Sequence, residues 1–225
     1  HTSANSLAGI FNNFFVSIIS KIRTDLSNLE SSIDTLKCPP LDTLLSKSPK
    51  LLSFRPTTIS EVISIIKKSS QASCSLDPIP TSLLRDILPT IAPVITEIVN
   101  SCLSSGTFPS HLKSAIVKPL LKKQSLDKEV LKNFRPVSNL SFLSKVIEKV
   151  VAARLVDHMS ENRLMDPFQS AYRKGHSTET ALLRVHNDFV SAVDKGHGMC
   201  LILLDLSAAF DTVDHTIRLT FLEEY

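Results

Sequence analysis

The chain has 225 residues, enough for one large domain or two small ones, and its 43% hydrophobic and 21% charged content excludes a disordered protein. Net charge is only +3, and the four cysteines lie far apart with no CxxC pair, which weighs against a zinc finger or a disulfide scaffold and suits a reducing compartment. No apolar run approaches the roughly 18 residues that span a bilayer, and the first residues, His1-Thr-Ser-Ala-Asn-Ser, carry no secretory signature.

Leu7 to Ile22 places Leu7, Ile10, Phe11, Phe14, Phe15, Ile18, Ile19 and Ile22 at spacings of three and four, which predicts an amphipathic helix. Asn5 or Ser6 can cap its start, and Lys21 and Arg23 suit its C-terminal dipole. A phenylalanine stripe of this kind reads as a core or docking face that needs a partner surface. Residues 24–56 are rich in Ser, Leu and Pro, and read as a linker with short helical pieces.

Thr58-Ile-Ser-Glu61 predicts a capping box opening a helix through Lys68, with Ile59, Val62, Ile63 and Ile66 on one side. Ser73-Cys-Ser-Leu-Asp-Pro-Ile-Pro80 reads as a proline-fixed turn before helices at Ser82–Leu88 and Ile91–Ser104, with Gly106-Thr-Phe-Pro109 as the stop. Ala115–Lys123 and Asn133–Leu140 read as two extended pieces of an antiparallel hairpin with a charged tip between Gln124 and Lys132. A helix over Ser141–Met159 shows an apolar face of Phe142, Val146, Ile147, Val150, Val151 and Leu155. The loop Asp166–Thr178 and a helix over Glu179–Val193 lead to Leu201–Leu204, an apolar run that predicts a strand buried on both faces and ending at Asp205.

Four places can carry chemistry. His111 to Arg154 holds ten Lys/Arg against three Asp/Glu, a local excess that points to a polyanion site. Within it, Arg135, fixed by Pro136, and Lys122 or Lys123 on the other strand can grip phosphate oxygens, although a solvated basic loop has the same composition. Tyr172, Arg173 and Lys174 combine a stacking ring with cations, as single-stranded nucleic acid requires, and Gly175 allows close approach of the backbone; a structural loop fits that content equally. His176 has no neighbours at metal-ligand spacing. Asp205 needs a cation or a donor where the buried strand surfaces, or it caps the helix that follows; Ser207, Ala208 and Ala209 leave space beside it, and Phe210 bounds that space.

Leu204-Asp-Leu-Ser-Ala-Ala-Phe-Asp-Thr-Val-Asp-His215 closely resembles the first palm motif of reverse transcriptases from non-LTR (LINE-type) retrotransposons. Asn133-Phe-Arg-Pro-Val-Ser138 is similar to the Arg-Pro fingers motif of that family. Gln169-Ser-Ala-Tyr-Arg-Lys-Gly-His-Ser-Thr178 and the Ser-Leu-Asp-Pro-Ile-Pro turn match two further blocks in the same order. The resemblance covers roughly residues 58–215 and, more loosely, the phenylalanine-rich helix before them. It implies that Asp205 is catalytic and binds Mg²⁺. It also implies that Phe210 lies under the sugar of the incoming nucleotide and disfavours a 2′-hydroxyl. Arg135 with Lys122 or Lys123 then contacts the triphosphate, and Tyr172, Arg173 and Lys174 lie against nucleic acid.

The implied fold is α/β in the loose, α+β sense, of right-hand polymerase type. Residues 1–56 are expected to form an N-terminal helix and linker, and 57–195 the fingers and palm-connecting helices. Residues 196–225 would hold the first palm motif, truncated. The implied partners are an RNA template, a DNA primer, dNTP and the remainder of a polyprotein, with no membrane, in the nucleus or the cytoplasm. The family takes its other metal carboxylates from a Tyr/Phe-x-Asp-Asp hairpin, and no Asp-Asp pair occurs in this sequence; Asp211 and Asp214 match no established second-metal ligands. Two-metal phosphoryl transfer needs several carboxylates, so the chain alone is expected to be an inactive fragment. The alternative is a non-enzymatic nucleic-acid or protein-binding remnant. Either way the run at 201–204 is expected to expose apolar faces.

Overall fold

The computed structural model describes residues 4–30, 49–70, 74–206, 209–210 and 213–224. The elements in chain order are α1 (Ala4–Glu30), α2 (Ile59–Lys68), α3 (Thr81–Asp86), α4 (Leu88–Ser105), β1 (Ala115–Leu121), β2 (Phe134–Leu140), α5 (Phe142–Glu161), α6 (Thr178–Asp194) and α7 (His215–Glu224). Short 3₁₀ turns over Ser110–Lys113 and Leu131–Asn133 precede the two strands. The described residues are thus mixed helix with one small antiparallel two-stranded sheet.

The core sits where α2, α4 and α5 meet. Val62 and Ile66 of α2, Ala92, Ile95 and Val99 of α4, and Val146, Ile147 and Val150 of α5 form one buried cluster, closed at one end by Leu112. Each such side chain contributes about 1.5–3 kcal/mol of transfer free energy. The helix ends follow from local chemistry. The Thr58 Oγ1 accepts the Glu61 N–H at 3.2 Å, which is half of a capping box. The other half is missing, because the Glu61 carboxylate accepts the Thr57 hydroxyl at 2.8 Å and is held by Arg154. Arg85 donates to the carbonyls of Ile66, Lys67 and Ser69, covering the C-terminal end of α2. Asp77 then ties the proline turn to the start of α5, accepting the Cys74 N–H at 3.0 Å and the Phe142 N–H at 2.6 Å.

Helix α4 is longer than its periodicity predicts. Pro89 lies in its first turn, where a missing N–H costs nothing, so the helix starts at Leu88, and Gly106 ends it at φ +63°. Helix α1 also runs past Ile22 to Glu30, into the linker expected over 24–56, and residues 31–48 of that stretch lie outside the described residues. On α5, Leu155 of the expected apolar face is exposed, and Arg154 is buried in its place.

The expected hairpin is present, with Leu120 opposite Arg135 and Leu121 opposite Phe134. Pro119 faces Pro136. The Lys122 N–H donates to the Asn133 carbonyl at 2.8 Å, so by alternation the proline pair falls on a rung without hydrogen bonds and neither proline removes one.

The expectation of a buried strand over Leu201–Leu204 is overturned. Residues 199–206 are irregular, and Leu204 is 89% exposed. A strand needs a neighbour to take its N–H and C=O groups, and none pairs with this run among the described residues. The exposure expected of its apolar side chains is observed. Gly196 ends α6 at φ +71°, with the Gly196 and His197 N–H groups donating to the carbonyls of Val193 and Ala192.

Candidate nucleotide and nucleic-acid site

A cavity of about 1270 Å³ opens between α1 and the β1–β2 hairpin. Its polar wall holds Lys122, Lys123, Lys132, Arg135 and Asp205, and its apolar wall is the α1 stripe, including Leu7, Phe11 and Phe15. Four residues singled out in the sequence, Asp205, Arg135, Lys122 and Lys123, therefore line one space.

The hairpin positions its cations through its own backbone. The Lys122 amine reaches across the tip to the Lys132 carbonyl at 2.8 Å, and the Arg135 guanidinium donates to the Lys122 carbonyl at 3.3 Å. Asn133 Nδ2 donates to the Asp127 carbonyl at 2.8 Å and folds the tip down. Lys123 is exposed, and its amine has no hydrogen bond or ion pair among the described residues. The tip thus uses one lysine to hold itself and presents the other. Asp205 is exposed on the cavity, also without such a partner among the described residues. Its surroundings are cationic, so a carboxylate there needs no desolvated counter-charge. No group of three or more His, Cys, Asp or Glu that could hold a metal ion occurs among the described residues. Asp205 is the one carboxylate among the described residues that line the cavity.

Phe210, Tyr172, Arg173 and Lys174 do not line this cavity. The Tyr172 and Phe210 rings meet edge to face, with centroids 6.0 Å apart. Tyr172 adopts φ +58°, a left-handed conformation that is uncommon outside glycine. Arg173 is engaged within its own loop, donating to the Asp166 carbonyl at 3.0 Å. Arg184 clamps the same loop from α6, donating to the Pro167 carbonyl at 2.7 Å and lying 4.5 Å from the centre of the Phe168 ring. The amine of Lys174 has no such engagement among the described residues. Gly175 sits at φ +78°, a left-handed conformation that favours glycine in this turn. The small residues Ser207 and Ala208, and Asp211, lie outside the described residues.

Two features were missed by the sequence reading. Lys132 joins the cations of the cavity, and its place in the charged tip was the available signal. Helix α1 supplies the facing wall, for which the only hint was a phenylalanine stripe in need of a partner. After α6, Asp214 accepts the Ile217 and Thr216 N–H groups as it caps α7. Those bonds, the Ile217 one foremost, hold its carboxyl below the ordinary carboxylate value, with smaller help from Arg23 and His215. This gives Asp214 a structural task at a helix start.

Residues 121–225 match the reverse transcriptase (RNA-dependent DNA polymerase) family. Over 176 residues, 78% of its length, the chain is 29% identical to a probable RNA-directed DNA polymerase from transposon BS of Drosophila melanogaster. It is 30% identical over 163 residues to the RNA-directed DNA polymerase from mobile element jockey of Drosophila funebris, covering 71% of this chain. A 149 kDa uncharacterized protein of transposon TX1 from Xenopus laevis is 26% identical over 171 residues, 76% of this chain. The chain spans 19%, 18% and 13% of the lengths of these three relatives. It carries part of a reverse transcriptase domain, similar to retrotransposon RNA-directed DNA polymerases. No helix among the described residues is long and apolar enough to cross a membrane.

Proposed function

We propose that this chain is the nucleotide-binding part of an RNA-directed DNA polymerase of a non-LTR retrotransposon, built as fingers and the beginning of a palm in a right-hand polymerase. The observation that supports this reading is the cavity that Asp205, Arg135, Lys122 and Lys123 line together. A nucleoside triphosphate brings several negative charges into such a space. Arg135 can take two phosphate oxygens at once, and Lys123, whose amine is not used to hold the hairpin, takes another. Asp205 would be the residue of this chain that holds Mg²⁺, an ion that would supply charge neutralisation for phosphoryl transfer. Lys174 and the exposed Tyr172 ring meet the template strand by charge and stacking, with Arg173 shaping their loop. Phe210 would discriminate against a 2′-hydroxyl only after leaving Tyr172 for the cavity, which its ring does not line here.

The reaction in the whole protein is RNA-templated addition of deoxynucleotides to a primer 3′-hydroxyl. Two metal ions need more carboxylates than Asp205 alone, and the sequence holds no Asp-Asp pair. By itself the chain therefore binds substrate without extending a primer. A second reading, a non-enzymatic nucleic-acid-binding remnant, is favoured by one observation: the Phe210 ring rests on Tyr172 and does not line the cavity.

The test is binding of a primer–template duplex to the chain with dNTP and Mg²⁺, across a salt series, for wild type and Arg135→Ala. Binding that weakens with salt and tightens with dNTP only when Arg135 is present supports the polymerase reading. Salt-sensitive binding with no dNTP effect in either protein selects the remnant.

A further inference from the structure

We infer that helix α1 is a working wall of the nucleotide site, and that Phe11 is a positioning residue for the end of the hairpin that carries Arg135. The inference rests on the nucleotide reading of the cavity and deepens it. It concerns a helix that lies outside the matched residues 121–225.

Leu7, Phe11 and Phe15 recur at intervals of four and fall on one face of α1, the face that lines the cavity. None of the three belongs to the core cluster of α2, α4 and α5. Leu7 is exposed and the two phenylalanines are half-buried, so that core does not depend on them, and Phe11 is the one of the three that meets the hairpin by a ring contact. The contact has a definite anchor. The Phe11 ring meets the Phe134 ring edge to face, with centroids 5.0 Å apart and planes at 74°. Phe134 opens β2, stands opposite Leu121 and directly precedes Arg135.

The hairpin needs such an anchor. Its ladder is a two-stranded ribbon, which in isolation is marginal in water. Beyond Leu121 and Phe134 the tip is held by polar bonds among exposed residues, Lys122 to Lys132 and Asn133 to Asp127. Bonds of that kind compete with water and leave the ribbon free to swing as a unit. An aromatic pair at the junction restrains the swing and so fixes where the Arg135 guanidinium stands relative to Asp205. The same stripe keeps water from one side of the cavity, which strengthens the pull of the cations on a polyphosphate.

The experiment titrates the full chain with dATP and Mg²⁺ and follows amide hydrogen exchange in the same samples. Phe11→Ala is expected to weaken dATP binding roughly three- to tenfold, the worth of an aromatic pair. Phe134→Ala should do the same, and the double variant should be no worse than either alone. Phe11→Tyr keeps the ring and should bind as wild type. In an Arg135→Ala background, Phe11→Ala should cost little more, because the group that it positions is gone. Exchange at the Lys122 amide should quicken in Phe11→Ala while core amides such as Val62 and Val150 keep their protection.

Equal dATP affinity in Phe11→Ala and wild type overturns the inference and leaves the nucleotide reading standing. A full additional loss in the Arg135→Ala background also overturns it, since Phe11 then acts independently of Arg135. Faster exchange throughout the core would reduce Phe11 to a folding residue. A wild-type chain that binds no dATP overturns the nucleotide reading, and the inference with it.

Discussion

Arg154 grips both carboxylate oxygens of Glu61, at 2.5 and 2.8 Å, and so ties the first turn of α2 to the fourth turn of α5. Arg154 is 3% exposed, and its remaining donors go to the carbonyls of Arg55, Pro56 and Val150. The guanidinium thus satisfies Glu61 and the chain segment entering α2 together. A buried cation is tolerable only because every side of it meets an acceptor.

Removing one partner should therefore cost far more than a surface ion pair does. Arg154→Ala strands the Glu61 carboxylate and three carbonyls, and is expected to lower unfolding free energy by about 3–5 kcal/mol. Arg55→Ala removes a pair with Asp157 in which both side chains are more than half exposed, and should change it by less than about 1 kcal/mol. Urea melts of the two variants make the comparison. A loss below 1 kcal/mol for Arg154→Ala would show that the network holds nothing together.

The same pair gives the fold a defined acid limit. The hydrogen bond from Arg154 holds the Glu61 carboxyl down at about 2 against an ordinary value of 4.5, with Thr57 and the Arg154 and Arg55 charges helping and burial opposing. Since the folded value is depressed, the stabilisation is complete above pH 4.5 and disappears as pH falls towards 2. Across that window the unfolded chain binds the extra proton, so stability should fall steadily as pH drops. Melts between pH 6 and pH 2 should show this slope in wild type and lose it in Glu61→Gln.

The hairpin and the core helices were legible because local chemistry sets them, whereas the gathering of Asp205 with Arg135, Lys122 and Lys123 was implied only by the family resemblance. Proline-bounded extended segments, apolar spacings of three and four, and a run of cations each act within a few residues. Arg154 was not legible: a charged residue beside an apolar face reads as solvated, and its burial depends on Glu61, 93 positions away. The partner of the α1 stripe was hidden for the same reason, since Phe11 meets Phe134 across most of the chain. Leu201–Leu204 shows the converse. Its residues suit a buried strand, but strand formation is a property of a pair, and the run is left irregular and exposed. Phe210 followed it out of the expected place, onto Tyr172.

Helix α5 ends on a residue that is poorly suited to its backbone. Arg163 adopts φ +56°, while its N–H and that of Leu164 donate to the carbonyls of Ser160 and Met159. This is the two-bond closure that glycine usually makes, and Gly196 makes it at the end of α6. A left-handed conformation costs a non-glycine residue about 1–2 kcal/mol, partly offset by the greater freedom that glycine loses on folding. Arg163→Gly should raise stability by up to about 1 kcal/mol, whereas Gly196→Ala should lower it by a similar amount. Thermal melts of the two single variants would reveal opposite shifts; shifts of the same sign would refute this account.

The irregular segment from Leu201 to Leu206 makes self-association the main hazard of the isolated chain. Ile202, Leu203, Leu204 and Leu206 are each at least three-quarters exposed, and their backbone groups form no ladder among the described residues. Contiguous apolar surface with open N–H and C=O groups is a template for pairing with another copy. A charge in the middle of the run blocks that pairing at little cost to the fold, because none of these side chains belongs to the buried cluster. Leu204→Lys should reduce light scattering and move the chain towards a monomer in sedimentation, with a melting temperature within about 2 °C of wild type, the change expected of an exposed substitution. Val150→Lys, placed in the core between α2 and α5, should unfold the protein. Unchanged association in Leu204→Lys would locate the sticky surface elsewhere, and a large fall in its melting temperature would mean that the segment packs more closely than its exposure indicates.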